Sequence, residues 1–526
     1  MVSFAWRGER RAMFSKAYSA AICGIEGTII TVETDVSDGL PIYDMVGYLS
    51  SEVREAKERV KIAMKNSDFR LPAKRVTVNL SPANLRKEGT AYDLAIAVSI
   101  LTSYGFIPES ELEKTLLIGE LGLDGRVCPV IGILPIVLAA KEQGFCRCIL
   151  PKANEEEGAV VQDIEIYGVQ NLKQTVEYLN GSCHLESAYV DVESLFSHNR
   201  YKDGLDFKDI SGQLLIKRAL EVAVSGMHNV LMIGPPGSGK TMLAKRVASI
   251  MPELTLEESM EITRIYSVGG NLPSKAPLIF QRPFRSPHHT ITTTALTGGG
   301  RYPKPGEVSL AHGGVLFLDE LPEFNRQALE VLREPLEDRQ VTVSRLNASY
   351  QYPASCMLVG AMNPCRCGYY PDKEKCRCSM NEVQSYLGKI SQPLLDRIDM
   401  TVEAARIEYQ DLNKEVSEET SDEIRKRVYK AQKIQKERYA MESFHFNAFL
   451  PANKMNRYCL LGVKEKELMK SVYSRMNLSA RAYHRILKVA RTIADLDSSE
   501  GIEKKHLSEA ILYRSLERKY WGGFNE

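Results

Sequence analysis

The 526-residue chain has no apolar run long enough to cross a membrane. Its longest such stretches, Leu94–Leu101 and Ile131–Ala140, fall well short of the roughly 18 residues a span requires. The opening MVSFAWRGERRA lacks the apolar centre and cleavage site of a secretory signal, so a cytoplasmic location without a membrane partner is expected. Charge of one sign is also missing: a formal net charge of +1 excludes a uniformly basic nucleic-acid coat. No repeat or low-complexity tract interrupts the sequence.

What is present is ordinary globular composition, 44% hydrophobic and 26% charged, with length for two or three domains. Basic surplus gathers at the C-terminal end, where residues 421–526 hold 22 Lys and Arg against 13 Asp and Glu. Of 11 cysteines, four fall within residues 365–378, a crowding that suits metal chemistry better than a disulfide framework.

Hydrophobic periodicity divides the chain. From Phe14 to about Ser182, β-rich runs (Ile22–Val36, Arg75–Leu80) alternate with helical patterns (Ser51–Asn66, Tyr92–Ser103), an α/β signature. A polar stretch over 186–208 without sustained period is read as a linker. Residues 209–405 alternate again, with Val230–Gly234, Val315–Asp319 and Met357–Ala361 as buried parallel strands. Residues 406–526 turn to long charged helices, Asp422–Ala440, Lys464–Met476, Ala480–Asp495 and Lys505–Lys519.

The run GPPGSGKT, Gly234, Pro235, Pro236, Gly237, Ser238, Gly239, Lys240 and Thr241, follows a strand and opens a helix. Glycines at this spacing permit a loop whose amide hydrogens turn inward on phosphate, and the helix N-terminus adds its positive end. Lys240 is placed for the β- and γ-phosphates, and Thr241 for Mg²⁺. Downstream, the apolar run Val315–Leu318 ends in Asp319, which would bind the same ion, and Glu320, which would polarise the attacking water. Met357–Ala361 leads to Asn363, which either orients that water or is a turn residue before Pro364.

These motifs, with PLLDRID (393–399), resemble AAA+ ATPases of the magnesium-chelatase-like clade. Beyond them, ISGQLLIKRALEVA (210–223), RPFRSPHHT (282–290), PGEVSLAHGGVLFLDELPEF (305–324) and LSARAYHRILKVARTIADL (478–496) resemble the YifB/ComM family, a likeness that covers nearly the whole chain from Met13. The resemblance implies an ATP- and Mg²⁺-dependent ring, usually hexameric, with a helical C-terminal lid at 406–526 and an AAA+ core at 209–405. It assigns Ile210 and Gln213 to nucleotide binding with the phosphate loop, Arg397 to the arginine finger reaching a neighbour's site, and Arg481 to the sensor arginine of the lid. An always-protonated guanidinium suits phosphoryl charge, although either arginine could instead be a surface ion-pair partner. Met13 resembles the usual family start, so residues 1–12 are read as an upstream extension.

By the same likeness, an inserted loop over 265–304 and the hairpin 341–352 project into a central channel. There Arg282, Arg285, His288, His289 and Arg345 either contact a nucleic-acid backbone or brace the loops against their own domain. Residues 13–185 resemble the Lon-protease-like domain, of ribosomal S5 domain 2-like fold, through KEGTAYDLAIA (87–97) and GELGLDGRVCPVIGILP (119–135). Ala91 stands where Lon proteases carry the nucleophilic serine and Leu134 where they carry the lysine, so peptidase chemistry is not expected.

Cys365, Cys367, Cys376 and Cys378, spaced C-x-C-x8-C-x-C, supply four soft ligands for a closed structural zinc site, with free thiols as the alternative. The expected function is an ATP-driven motor on single-stranded or branched DNA, moving recombination intermediates alongside recombination proteins in homologous recombination or natural transformation. The alternatives are a metal-insertion subunit of magnesium-chelatase type, against which no DxSxS pattern is found, and a protein-remodelling ATPase or scaffold.

Overall fold

A computed structural model describes residues 14–198, 204–273, 276–300, 303–344, 349–372, 374–405 and 418–522. The extension at 1–12 and Arg345 lie outside them. Two compact units result, one of the residues up to His198 together with Ser259–Ile279, the other of Asn199–Glu258 and Phe280–Glu526. The architecture is mixed α/β with a helical C-terminal part.

In the first unit, strands β1 (Phe14–Cys23), β2 (Glu26–Ser37), β3 (Tyr43–Val46), β4 (Arg75–Ser81), β5 (Thr115–Leu117), β6 (Arg147–Pro151) and β7 (Glu165–Val169) form one mixed sheet in the order β3-β4-β2-β1-β5-β6-β7. Helix α1 (Ser51–Asn66) starts where Ser50 Oγ accepts from the Val53 amide, and it buries Val53, Ala56, Val60 and Ala63 at helical spacing. Helix α2 (Asp93–Ser103) is buried along its whole length, which is why its sequence is apolar all round. Its one charge, Asp93, is matched by Arg59 from α1 in a two-pronged pair at 2.9 and 3.1 Å. Helix α3 (Ile133–Glu142) packs on β2 at Gly27, where a Cβ would lie 2.6 Å from the Pro135 carbonyl oxygen. The polar stretch before residue 199 contains a short helix, Val192–His198, too brief to leave a periodic signature.

The second unit is built on an all-parallel sheet of β8 (Val230–Ile233), β9 (Phe284–Arg285), β10 (Val315–Leu318), β13 (Met357–Met362) and β14 (Met400–Glu403), in the order β9-β10-β13-β8-β14. Every residue of β8, β10 and β13 is buried, as continuous apolar strands of a covered parallel sheet should be. A separate antiparallel hairpin pairs β11 (Gln340–Ser344) with β12 (Ser349–Pro353). Helix α4 (Leu214–Gly226) packs against α6 (Ser421–Arg438) and α8 (Ala480–Leu496), while α9 (Lys504–Trp521) packs on β14 and on α7 (Val463–Met476). Helix α5 (Lys240–Ile250) follows the glycine loop. Since all strands of the sheet run the same way, their carboxyl ends share one edge, where ligands of open α/β sheets bind. Among the described residues no helix is long and apolar enough to cross a membrane.

Candidate nucleotide-binding site

The loop between β8 and α5 depends on glycine in three ways. At Gly234 a Cβ would lie 2.5 Å from the Ala404 carbonyl oxygen, so the chain passes β14 closely; Gly237 and Gly239 take φ of +76° and +82°. Lys240 is buried and donates from Nζ to the carbonyls of Gly234 and Pro235 at 2.8 Å each, and to Ser238 Oγ at 3.2 Å. Burial lowers its pKa, with Asp319 pulling the other way. Its Nζ also meets Asn363 Oδ1 at 3.3 Å, so the strand-end asparagine shares the lysine of the phosphate loop.

Thr241 Oγ1 donates to Asp319 Oδ2 at 2.6 Å. Mg²⁺ held at about 2.1 Å from two adjacent oxygens needs them about 3 Å apart, so this hydroxyl–carboxylate pair fits a shared Mg²⁺, and the glycine loop with Lys240 fits a triphosphate. Glu320 is exposed and adopts φ +51°, a left-handed conformation uncommon outside glycine. Its amide binds Asp319 Oδ1 at 2.9 Å, and its carbonyl accepts from the Glu323 amide at 2.7 Å, which fixes this turn. Gln213 Nε2 donates to the carbonyls of Ala405 at 2.6 Å and Ser238 at 3.2 Å, tying the phosphate loop to the exit of β14, and Ile210 is buried in the same core.

The remaining candidates divide. Arg397 lines an open cavity of about 590 Å³ with Glu330, Glu334, Glu337 and Asp338. Within its own chain it is paired to Glu337 and donates to the carbonyls of Arg333 at 2.9 Å and Pro393 at 2.8 Å. Arg481 is exposed in the first turn of α8, which Ser479 caps at the Ala482 amide. Arg282 is anchored to the carbonyls of Pro252 at 2.6 Å and Gly313 at 2.8 Å and to Glu258 at 3.0 Å, and Arg285 forms a two-pronged pair with Glu307 at 2.6 and 2.7 Å. Exposed His288 bonds Thr290 Oγ1 at 2.9 Å and lies against His289 with ring centroids 4.1 Å apart and planes tilted by 34°.

His289 itself has a neighbour that motif reading did not anticipate. Its Nδ1 lies 3.7 Å from Glu320 Oε2, and its ring meets Phe324 edge-on. The signal was adjacency in the sheet: β9 pairs with β10, so the loop leaving β9 must pass the residues that follow β10.

The four cysteines converge, each Sγ within 4.8 Å of the others, with Cys365 fully buried. Tetrahedral zinc with ligand sulfurs at about 2.3 Å places them about 3.8 Å apart, and the separations of 3.3, 3.5 and 3.8 Å among Cys365, Cys367 and Cys376 fit that site. Their protons are shared among close sulfurs: against burial, amides of Tyr369 and Arg377 and the neighbouring sulfurs bring the Cys367 thiol down to about 6, while burial and the sulfurs of Cys367 and Cys365 push Cys376 up to about 12. In the first unit, the Ala91 carbonyl accepts from the Gly119 amide at 3.0 Å, while Leu134 is fully buried with its amide on Glu157 Oε1 at 3.0 Å.

Three family descriptions match the chain in succession: "Subunit ChlI of Mg-chelatase" at residues 32–154, "Magnesium chelatase, subunit ChlI" at 206–412, and "Magnesium chelatase, subunit ChlI C-terminal" at 418–514. The chain is 42% identical to competence protein ComM of Haemophilus influenzae, across 95% of this chain and 97% of that protein. It is 40% identical to the uncharacterized protein YifB of Escherichia coli, across 96% and 97%. Similarity to the magnesium-chelatase 67 kDa subunit of Chlorobaculum parvum is 30%, over 30% of this chain and 23% of that subunit.

Proposed function

This chain belongs to the YifB/ComM family of magnesium-chelatase-like AAA+ ATPases, and on that premise we propose that it is an ATP-hydrolysing ring motor acting on DNA. The observation that carries the reading is the meeting of Lys240, Thr241, Asp319 and Asn363 at one edge of the parallel sheet, with Glu320 beside them. In it, Lys240 and the loop amides hold the phosphates, Thr241 and Asp319 hold Mg²⁺, Glu320 takes the proton of the attacking water, and Asn363 orients that water. Mg²⁺ supplies charge neutralisation on the phosphate oxygens. A neighbouring subunit contributes Arg397, released from Glu337, and Arg481 comes from the lid, so that hydrolysis depends on assembly into a ring, most simply a hexamer.

The DNA assignment draws on similarity along nearly the whole length of a competence protein and on the basic surplus of residues 421–526. In this reading the motor moves single-stranded or branched DNA during homologous recombination or natural transformation, and His288 is the best placed of the candidate contacts. The first unit, a Lon-like fold without its nucleophile, is a structural tier or DNA collar. A second reading, a metal-insertion subunit, is favoured by the three ChlI matches but opposed by the short reach of the Chlorobaculum similarity. One titration separates them: ATP turnover should rise with single-stranded or branched DNA, and binding should weaken steeply with salt. If neither DNA form stimulates turnover at low salt, the DNA motor fails. Zinc in the four-cysteine loop predicts about one equivalent per chain in protein purified without chelator, lost when Cys365 and Cys376 are replaced by serine.

A further inference from the structure

The loop that carries the cysteines touches the nucleotide site twice. It begins two residues after Asn363, whose Oδ1 meets Lys240 Nζ at 3.3 Å. Farther along, Gly368 is buried at φ +85°, its amide bonded to the Cys365 carbonyl at 3.0 Å. A Cβ on Gly368 would fall 2.4 Å from Cδ and 3.2 Å from Cγ of Pro236, the third residue of the phosphate loop. The Cδ of a proline is bonded to its own backbone nitrogen and cannot swing aside by side-chain rotation, so this contact transmits displacement to the loop backbone.

Gly368 lies between the first ligand pair, Cys365 and Cys367, and the second, Cys376 and Cys378. A closed tetrahedral site fixes where the turn after Cys367 sits, and hence where Gly368 meets Pro236. We propose that the four-cysteine loop is a metal-held brace for the phosphate loop, so that a soft divalent metal such as zinc on Cys365, Cys367, Cys376 and Cys378 sets the affinity for nucleotide through the Gly368–Pro236 contact. The proposal rests on the zinc reading above. It assigns the metal no part in hydrolysis, since four protein thiolates leave no open coordination position.

The test is equilibrium binding of a fluorescent, non-hydrolysable ATP analogue by the full chain, with zinc content measured on the same samples. Gly368→Ala should keep about one zinc per chain and bind the analogue roughly tenfold more weakly, the scale of an overpacked contact. Pro236→Ala in the same chain removes the ring and should recover most of that loss, a coupling that generic strain at a left-handed position would not produce. Stripping metal with a mercurial and chelator should weaken binding by a similar factor, and added zinc should restore it. Unchanged binding in Gly368→Ala overturns the brace, as does a loss that Pro236→Ala leaves untouched. Weakening by Gly368→Ala in protein that binds normally when stripped of zinc overturns the dependence on metal. Protein that never holds zinc fails the zinc reading itself, a distinct result.

Discussion

In the second unit the parallel strands β8, β10 and β13 lead directly to Lys240, Asp319 and Asn363, whereas in the first unit Ala91 and Leu134, the positions singled out by the sequence resemblance to Lon-type peptidases, offer neither hydroxyl nor amine. Both units are α/β layers with fully buried helices or strands at their centres. Layering alone is therefore silent about chemistry. What separates the two is whether polar side chains meet where the elements end: Lys240 has four oxygen partners there, while Leu134 has an apolar side chain wholly enclosed and only a backbone amide to offer Glu157.

The contrast breaks most visibly by exchanging the two kinds of position. Lys240→Ala should abolish nucleotide binding and lower ATP turnover by at least roughly a hundredfold, and Glu320→Gln should lose turnover while retaining binding. Leu134→Lys should create no peptidase and should instead unfold the first unit, because an unpaired ammonium in that core costs several kcal/mol. Peptidase activity in Leu134→Lys combined with Ala91→Ser, measured on a casein substrate, would erase the distinction.

A smaller effect sharpens it. His289→Ala should lower kcat about tenfold with the affinity for nucleotide unchanged, because His289 touches Glu320 and none of the phosphate-loop contacts run through it. His289→Asn or His289→Gln should recover part of the rate by offering a side-chain amide in its place. Binding that weakens in step with kcat would make His289 a mere support of the fold.

The smallest effect contrasts two carboxyls of the second unit. Glu320 is 61% exposed, but the side chain of Glu517 on α9 is only 19% exposed with its Oε1 shielded from solvent, and this desolvation pushes its carboxyl up from an ordinary 4.5 to about 7 against the pull of Arg514 and Arg485. The folded chain thus holds this proton more tightly than the unfolded one does. Its contribution to stability is complete below about pH 4.5 and is lost as pH rises through about 7. Glu517→Gln should flatten that part of the profile, read from urea midpoints at about pH 5 and about pH 8. An unaltered slope would refute the burial account.

Legibility in the sequence followed the length of the signal. The glycine spacing around Lys240 and the apolar runs before Asp319 and Asn363 are local and unbroken, and the structure forms strands there within a residue of expectation. The helix expected over 480–495 is found as Ala480–Leu496, its apolar residues at intervals of three and four. By contrast β9 is two residues long, below any periodicity, and Leu256–Gly269 is a helix that runs into a stretch whose glycine and proline suggested an inserted loop from residue 265. That Ser259–Ile279 groups with the first unit is a matter of tertiary packing that chain order does not encode. The same holds for His289 beside Glu320 and for Glu337 on Arg397, each pair far apart in sequence or joined through neighbouring elements.

The short edge strand β9 carries one more implication, a mechanical one. It is joined to β10 by only two residue pairs, Phe284 with Val315 and Arg285 with Leu316, whereas β8 is joined through four to β13 and four to β14. That ladder alone is a weak seam, each backbone hydrogen bond contributing about 1 kcal/mol net, and the segment is held chiefly by side chains, Arg282 on the carbonyls of Pro252 and Gly313 and Arg285 on Glu307. His289 follows that seam by four residues, so its place beside Glu320 depends on those two arginines more than on the sheet. The sheet itself fixes the lysine side of the site through eight ladder pairs of β8, whereas the glutamate side is fixed at a two-pair edge by arginine side chains, so charge reversal at Glu307 would reach Glu320 without touching the glycine loop.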